Sequence, residues 1–185
     1  MLNFFNKCAL ALALLIVASA CTIIPAGYKP ISKGKDEMIY KRQGDFDDNS
    51  FYRHKSFFRF SPLELYIGEG ETTYARLVFK YGGVDWIFFN KAVLINSKGV
   101  KMNFMFESYN RDTQVISGGG VVESYDVALS SSRFSKLSDL LKDNSEPIRI
   151  KLSGKQYYKE YTLTSTQVLA LNQMINKYRS LIDSQ

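Results

Sequence analysis

From Phe51 onward the chain alternates apolar and polar residues with period two, broken at intervals by turn residues, and this pattern predicts β-strands. "TYARLVFKY" sets Ala75, Leu77, Phe79 and Tyr81 on one face before Gly82-Gly83 breaks the run. "DWIFFNKAVLIN" predicts the next strand, and "NSKG", Asn96 to Gly99, predicts a hairpin loop because glycine takes the left-handed conformation such a turn needs. The return strand "VKMNFMFES" alternates Met102, Phe104 and Phe106 with Lys101, Asn103 and Glu107. Further strands are expected at 113–117, 121–130, 147–153 and 157–163.

Two segments switch to helical spacing. Phe134, Leu137, Leu140 and Leu141 predict a short helix near 133–142, with serines ahead of it as caps. At "TSTQ", Thr164 and Gln167 form a capping-box pattern, and Val168, Leu171, Met174, Ile175, Tyr178 and Ile182 follow as one apolar stripe. Such a stripe is read as packing on a sheet. The expected fold is α+β: a single antiparallel meander of about seven to eight strands, a short helix, and a C-terminal amphipathic helix near 165–182.

The N-terminus differs in kind. One charged residue, Lys7, precedes an uncharged apolar run of 13 residues from Cys8 to Ala20. A membrane-spanning helix needs roughly 20 apolar residues and a secretory signal about 7–15, so the run reads as a signal peptide. Its end, Ala18-Ser19-Ala20-Cys21, resembles the lipobox of bacterial lipoprotein precursors, over about the first 22 residues only. That resemblance implies cleavage before Cys21, acylation of Cys21 including palmitate, and attachment to a membrane without crossing it. Thr22 after the cysteine, in place of Asp, implies the periplasmic face of the outer membrane. The same run also reads as an ordinary signal cut at Ala18-Ser19-Ala20, which would leave Cys21 a thiol.

The expected organisation is a signal at 1–20, a lipidated tether at 21–50 and one globular domain at 51–185. The tether reading rests on early prolines, small polar residues and no sustained period. Cys8 lies in the removable segment, so the mature chain has no intramolecular disulfide. A hydrophobic content of 45% builds a core without one.

Candidate chemistry is sparse. The single histidine, His54, is read as an exposed or loosely packed strand residue, and it leaves zinc and serine-triad sites without partners. Asp45 to Asn49 imitates the start of a calcium loop, but Ser50 and Ser56 occupy the positions that need glycine and glutamate. "SGGGVVE", Ser117 to Glu123, lacks the spacing of a P-loop and reads as a turn or bulge. "YRHKSFFRF" interleaves cations and aromatics, yet export argues against nucleic acid, and an edge or early strand with Phe57 or Phe58 buried is expected. Glu107, Asp112, Glu123 and Asp126 are close enough in sequence to form a carboxylate pair. No catalytic residue, metal or cofactor is assigned.

The net charge of +6 raises the question of an anionic partner. The tether is neutral, and the excess concentrates between Arg133 and Lys159. In "PIRIKLSG", Ile148, Ile150 and Leu152 should point inward and Arg149 and Lys151 outward. Arg149, Lys151, Lys155 and Lys159 are therefore the candidate residues for an anionic envelope component or an acidic envelope protein, beside the bland reading of a solvated face. Three function classes stay open: noncatalytic binding or accessory work in the envelope, a carboxylate enzyme on envelope polymers, and an exclusion or immunity lipoprotein that blocks a membrane partner.

Overall fold

The computed structural model describes residues 24–31, 38–45, 48–58, 60–142 and 147–185. The signal segment and Cys21 lie outside the described residues, as do Phe46 and Asp47 of the calcium-like stretch.

The fold is α+β and antiparallel, as the periodicity predicts, but its strands divide between two sheets. The first holds β1 (Lys29–Pro30), β2 (Ile39–Gln43), β3 (Ser50–His54), β4 (Leu63–Glu69), β5 (Thr73–Gly83), β8 (Asp112–Ile116) and β9 (Gly120–Ala128), in the order β1-β2-β3-β4-β5-β9-β8. The second holds β6 (Lys91–Ile95), β7 (Lys101–Met105), β10 (Arg149–Ser153) and β11 (Tyr158–Thr162), in the order β11-β10-β6-β7. The β6–β7 hairpin thus leaves the first sheet after β5, and the chain returns to that sheet at β8.

The reason a single meander fails lies in residues 84–90. "DWIFF" alternates poorly and never joins a ladder, because its backbone is held by a side chain. The carboxylate of Glu123 accepts the amides of Ile87, Phe88 and Phe89 at 2.7, 2.8 and 3.0 Å. Buried amides need acceptors, and one buried carboxylate serves all three. The segment becomes a crossing between sheets.

The expected tether also changes. β2 pairs along β3 from Ile39↔His54 to Gln43↔Ser50, and β1 pairs with β2. Ile39 packs against the core, and Tyr28 and Tyr40 both meet the ring of Phe58 edge-on at 5.3 and 5.4 Å. Aromatic and aliphatic contacts of this kind draw the segment into the sheet, so the domain begins ahead of residue 51. β3 is an inner strand, with Phe57 buried in the 3₁₀ turn Lys55–Phe58 that follows.

Helix α1 (Ser131–Leu141) starts at a cap where the Ser130 hydroxyl accepts the amide of Arg133, and it buries Phe134, Leu137, Leu140 and Leu141. Helix α2 (Ser165–Ile182) carries the full capping box: the Gln167 amide donates to Thr164 Oγ1 at 3.2 Å and the Thr164 amide donates to Gln167 Oε1 at 2.9 Å. Val168, Leu171, Met174 and Ile175 are buried; at the last turn Leu181 faces inward and Ile182 is exposed. Helix α2 packs on β3, β4 and β5, while α1 packs on α2 and β7. Both sheets and both helices share one core, with Phe79 of β5 against Phe104 of β7 at 4.7 Å. Among the described residues, no helix is long and apolar enough to cross a membrane.

Candidate functional site

The outer face of the four-stranded sheet gathers cations from three strands. Along β10, Ile150 and Leu152 are buried and Arg149 is exposed, the alternation expected of a half-buried strand. β10 pairs with β6 so that Arg149, Lys151 and Ser153 stand beside Ile95, Val93 and Lys91. β6 pairs with β7 so that the same positions stand beside Lys101, Asn103 and Met105. Paired residues share a face. Lys91, Lys101, Arg149 and Lys151 therefore occupy one surface, with Val93 and Ile95 half-buried between them.

Among the described residues of the four strands, one carboxylate shares this surface, Glu160 of β11 opposite Lys151, with Nζ to Oε1 at 3.2 Å. Lys151 Nζ also sits 3.8 Å from the ring centre of Tyr158. Among the described residues, Lys91, Lys101 and Arg149 have no carboxylate within ion-pair distance. Among the described residues of the four strands, four cations stand against one carboxylate, a local excess of positive charge on this face.

The four sequence candidates do not all meet. Arg149 and Lys151 lie together on this face, as the alternation predicts. Lys159 pairs with Leu152 and so stands on the opposite side of the edge strand β11, and Lys155 lies in the exposed turn between β10 and β11. The grouping corrects to Lys91, Lys101, Arg149 and Lys151. Lys91 and Lys101 show period-two placement in the sequence, but only the pairing of β10 with β6 brings them to Arg149.

The crossing segment 84–90 is stitched to one end of this sheet. The Asn90 amide donates to the Ser153 carbonyl at 3.0 Å and the Phe106 amide donates to the Asn90 carbonyl at 2.8 Å. A Cβ on Gly154 would collide with the Ile87 carbonyl oxygen, so glycine permits this approach. Phe88 takes φ +50°, a left-handed conformation unfavourable to a bulky residue. The three amide bonds to Glu123 over-determine that conformation, and they leave the Phe88 side chain 53% exposed. Its ring stacks with Trp86 at 6.0 Å and lies under the Arg111 guanidinium at 4.9 Å. Period and spacing gave no sign of this cluster.

The remaining candidates resolve into structural roles. His54 is 1% exposed, not loosely packed: the Ser56 amide donates to Nδ1 at 3.1 Å, which leaves the proton on Nε2, donated to Gln173 Oε1 at 2.6 Å. Burial lowers its pKa below the ordinary value, against the opposing hydrogen bond to Gln173, and both ring nitrogens are engaged. The acidic residues do not converge. Glu123 is completely buried on the inner face, whereas Asp126, three residues on, lies on the outer face with Tyr66 Oη at 2.6 Å and Arg76 Nε at 2.8 Å. Glu107 and Asp112 are exposed. Burial, with Asp126 beside it, holds the Tyr66 hydroxyl well above the usual phenol range, as a fixed donor. Gly118 and Gly119 take positive φ in the turn joining β8 to β9, as the glycine run predicts. Asp45 is paired with Arg42 at 3.2 Å, and no group of metal-ligating side chains forms among the described residues.

No family model, no curated protein and no solved structure matches this chain.

Proposed function

We propose that the protein is a noncatalytic binding or accessory lipoprotein of the bacterial cell envelope, held by acyl chains on Cys21 at the periplasmic face of the outer membrane. Its working surface is the outer face of the four-stranded sheet, which docks on an anionic component. The observation that carries this reading is the juxtaposition of Lys91, Lys101, Arg149 and Lys151 against one carboxylate, Glu160, among the described residues of the four strands. A cationic face spread over three adjacent strands matches an extended anionic surface, because its charges are distributed and do not converge on one point.

The anchor rests on the lipobox resemblance at Ala18 to Cys21. Several chains on one cysteine give firm attachment where one gives only marginal binding. A carboxylate enzyme is disfavoured by the separation of Glu123 and Asp126 onto opposite faces of β9.

Two measurements test the reading. Cells producing the full chain should incorporate radiolabelled palmitate into it, and Cys21→Ala should abolish the label; an unlabelled parent chain would overturn the anchor. Arg149→Glu with Lys151→Glu should abolish retention on anionic envelope material, and unchanged retention would overturn the docking face.

A further inference from the structure

We propose that the anionic component is a phospholipid bilayer surface, and that the end of the four-stranded sheet bearing Trp86, Phe88, Met105 and Tyr158 enters its headgroup region while Lys91 and its neighbours meet the phosphates. This deepens the reading above and rests on it for the choice of face.

The chemistry of that end selects the partner. Lys91, Met105, Ser153 and Tyr158 form one row across the sheet, and the crossing segment with Trp86 and Phe88 is bonded to that row through Asn90 and Ser153. Met105 is 71% exposed and Tyr158 61% exposed. An acidic protein or a soluble phosphate would account for the lysines, but neither needs an exposed methionine and tyrosine in the row that holds Lys91. A headgroup region takes both, with cations at the phosphates and amphipathic or apolar side chains just below.

A sugar polymer would also use aromatics, by stacking a ring on an open aromatic face. The Phe88 ring is already engaged by Trp86 and by the Arg111 guanidinium, so it presents an edge. An edge suits hydrocarbon. The backbone strain at Phe88 fits the same role, since the fold holds a large apolar side chain outward where relaxed geometry would not.

β1, the strand that follows the proposed anchor in sequence, and this end lie at different edges of the molecule. β1 and β8 are the opposite edges of the seven-stranded sheet, six strand spacings or about 29 Å from one another. Arg111, over Phe88, immediately precedes β8. The eight residues from Cys21 to Lys29 reach at most about 29 Å when fully extended, the same span. A bilayer contact at the edge opposite β1 would be a second point of attachment and would fix the orientation of the domain.

Trp86 is the single tryptophan of the chain; it is half-buried, packed on the core with its ring stacked on the exposed Phe88, so its emission reports what approaches Phe88. The full chain is added to phosphatidylglycerol vesicles whose acyl chains carry bromine, with phosphatidylcholine vesicles as the uncharged comparison. The expected result is loss of most Trp86 emission on brominated phosphatidylglycerol, little loss on brominated phosphatidylcholine, and recovery as salt shortens the Debye length from about 10 Å at 0.1 M to about 3 Å at 1 M. Lys91→Gln with Arg149→Gln should raise the lipid concentration for half-quenching about thirty-fold, at about 1 kcal/mol per cation. Phe88→Gly, which tolerates the left-handed backbone, should weaken quenching with the fold retained by circular dichroism.

A chain retained on phosphatidylglycerol vesicles with Trp86 unquenched would overturn the proposal, and so would equal quenching on both lipids. The readout does not depend on acylation. Quenching with an unacylated Cys21 would leave the bilayer contact standing and remove the anchor, while palmitate on Cys21 without quenching would do the reverse.

Discussion

The two sheets carry charge on their outer faces in opposite ways. On the seven-stranded sheet, Glu64 is buried between Arg53 Nη2 and Lys80 Nζ, each at 2.7 Å, and Asp126 is held by Tyr66 and Arg76. On the four-stranded sheet, four cations stand against one carboxylate among the described strand residues. Charges that neighbours within the fold neutralise serve the fold, whereas a surplus that the fold leaves facing solvent is available to something outside it. The same residue types, lysine and arginine on alternate strand positions, thus take different roles according to what the adjacent strand supplies.

The largest expected effect breaks the paired side of this contrast. Glu64→Ala leaves Arg53 and Lys80 without their shared carboxylate and should destabilise the protein by about 3 kcal/mol, read by denaturant unfolding. A loss near zero would mean that these cations are as independent as those on the other sheet.

His54 supplies an interior reference between the two faces. Its folded pKa lies below the ordinary 6.5, so below that pH the unfolded chain binds more protons than the folded one. Stability should therefore fall as pH drops below about 6.5, with a slope of at most about 1.4 kcal/mol per pH unit. His54→Gln should remove that part of the slope in parallel unfolding curves at pH 7.5 and 5.5. Asp126→Asn, at a half-exposed site, should cost about 1 kcal/mol, since it keeps the shape but gives up the charge shared with Arg76. Lys91→Ala and Arg149→Ala should each change stability by less than about 0.5 kcal/mol, because no carboxylate among the described residues is orphaned.

Local features were legible where the cause is local. Alternation located the hairpin at Asn96 to Gly99 and the strands on either side of it, and the Thr164–Gln167 capping box opened helix α2 at the expected residue. Alternation along β10 also placed Arg149 and Lys151 outward. The features that escaped depend on distant partners. Lys91 joins Arg149 only through the pairing of β6 with β10, His54 is buried by Gln173 from the far end of the chain, and "DWIFF" fails as a strand because Glu123 takes its amides. Tyr28, Tyr40 and Phe58 likewise bring residues before 51 into the sheet, although their composition resembles a tether. Period and composition describe one segment at a time, and each of these outcomes is a contact between two.

The contrast between the faces is tested most directly in living cells, with a photo-crosslinking amino acid placed at Asn103 on the outer face of the four-stranded sheet or at Gln114 on that of the seven-stranded sheet, both exposed positions. Envelope material should attach through position 103 and not through 114, and the adduct should disappear when Arg149 and Lys151 are changed to Glu. Equal adducts from both positions, or adducts from 114 alone, would contradict the assignment of the cationic face as the working surface.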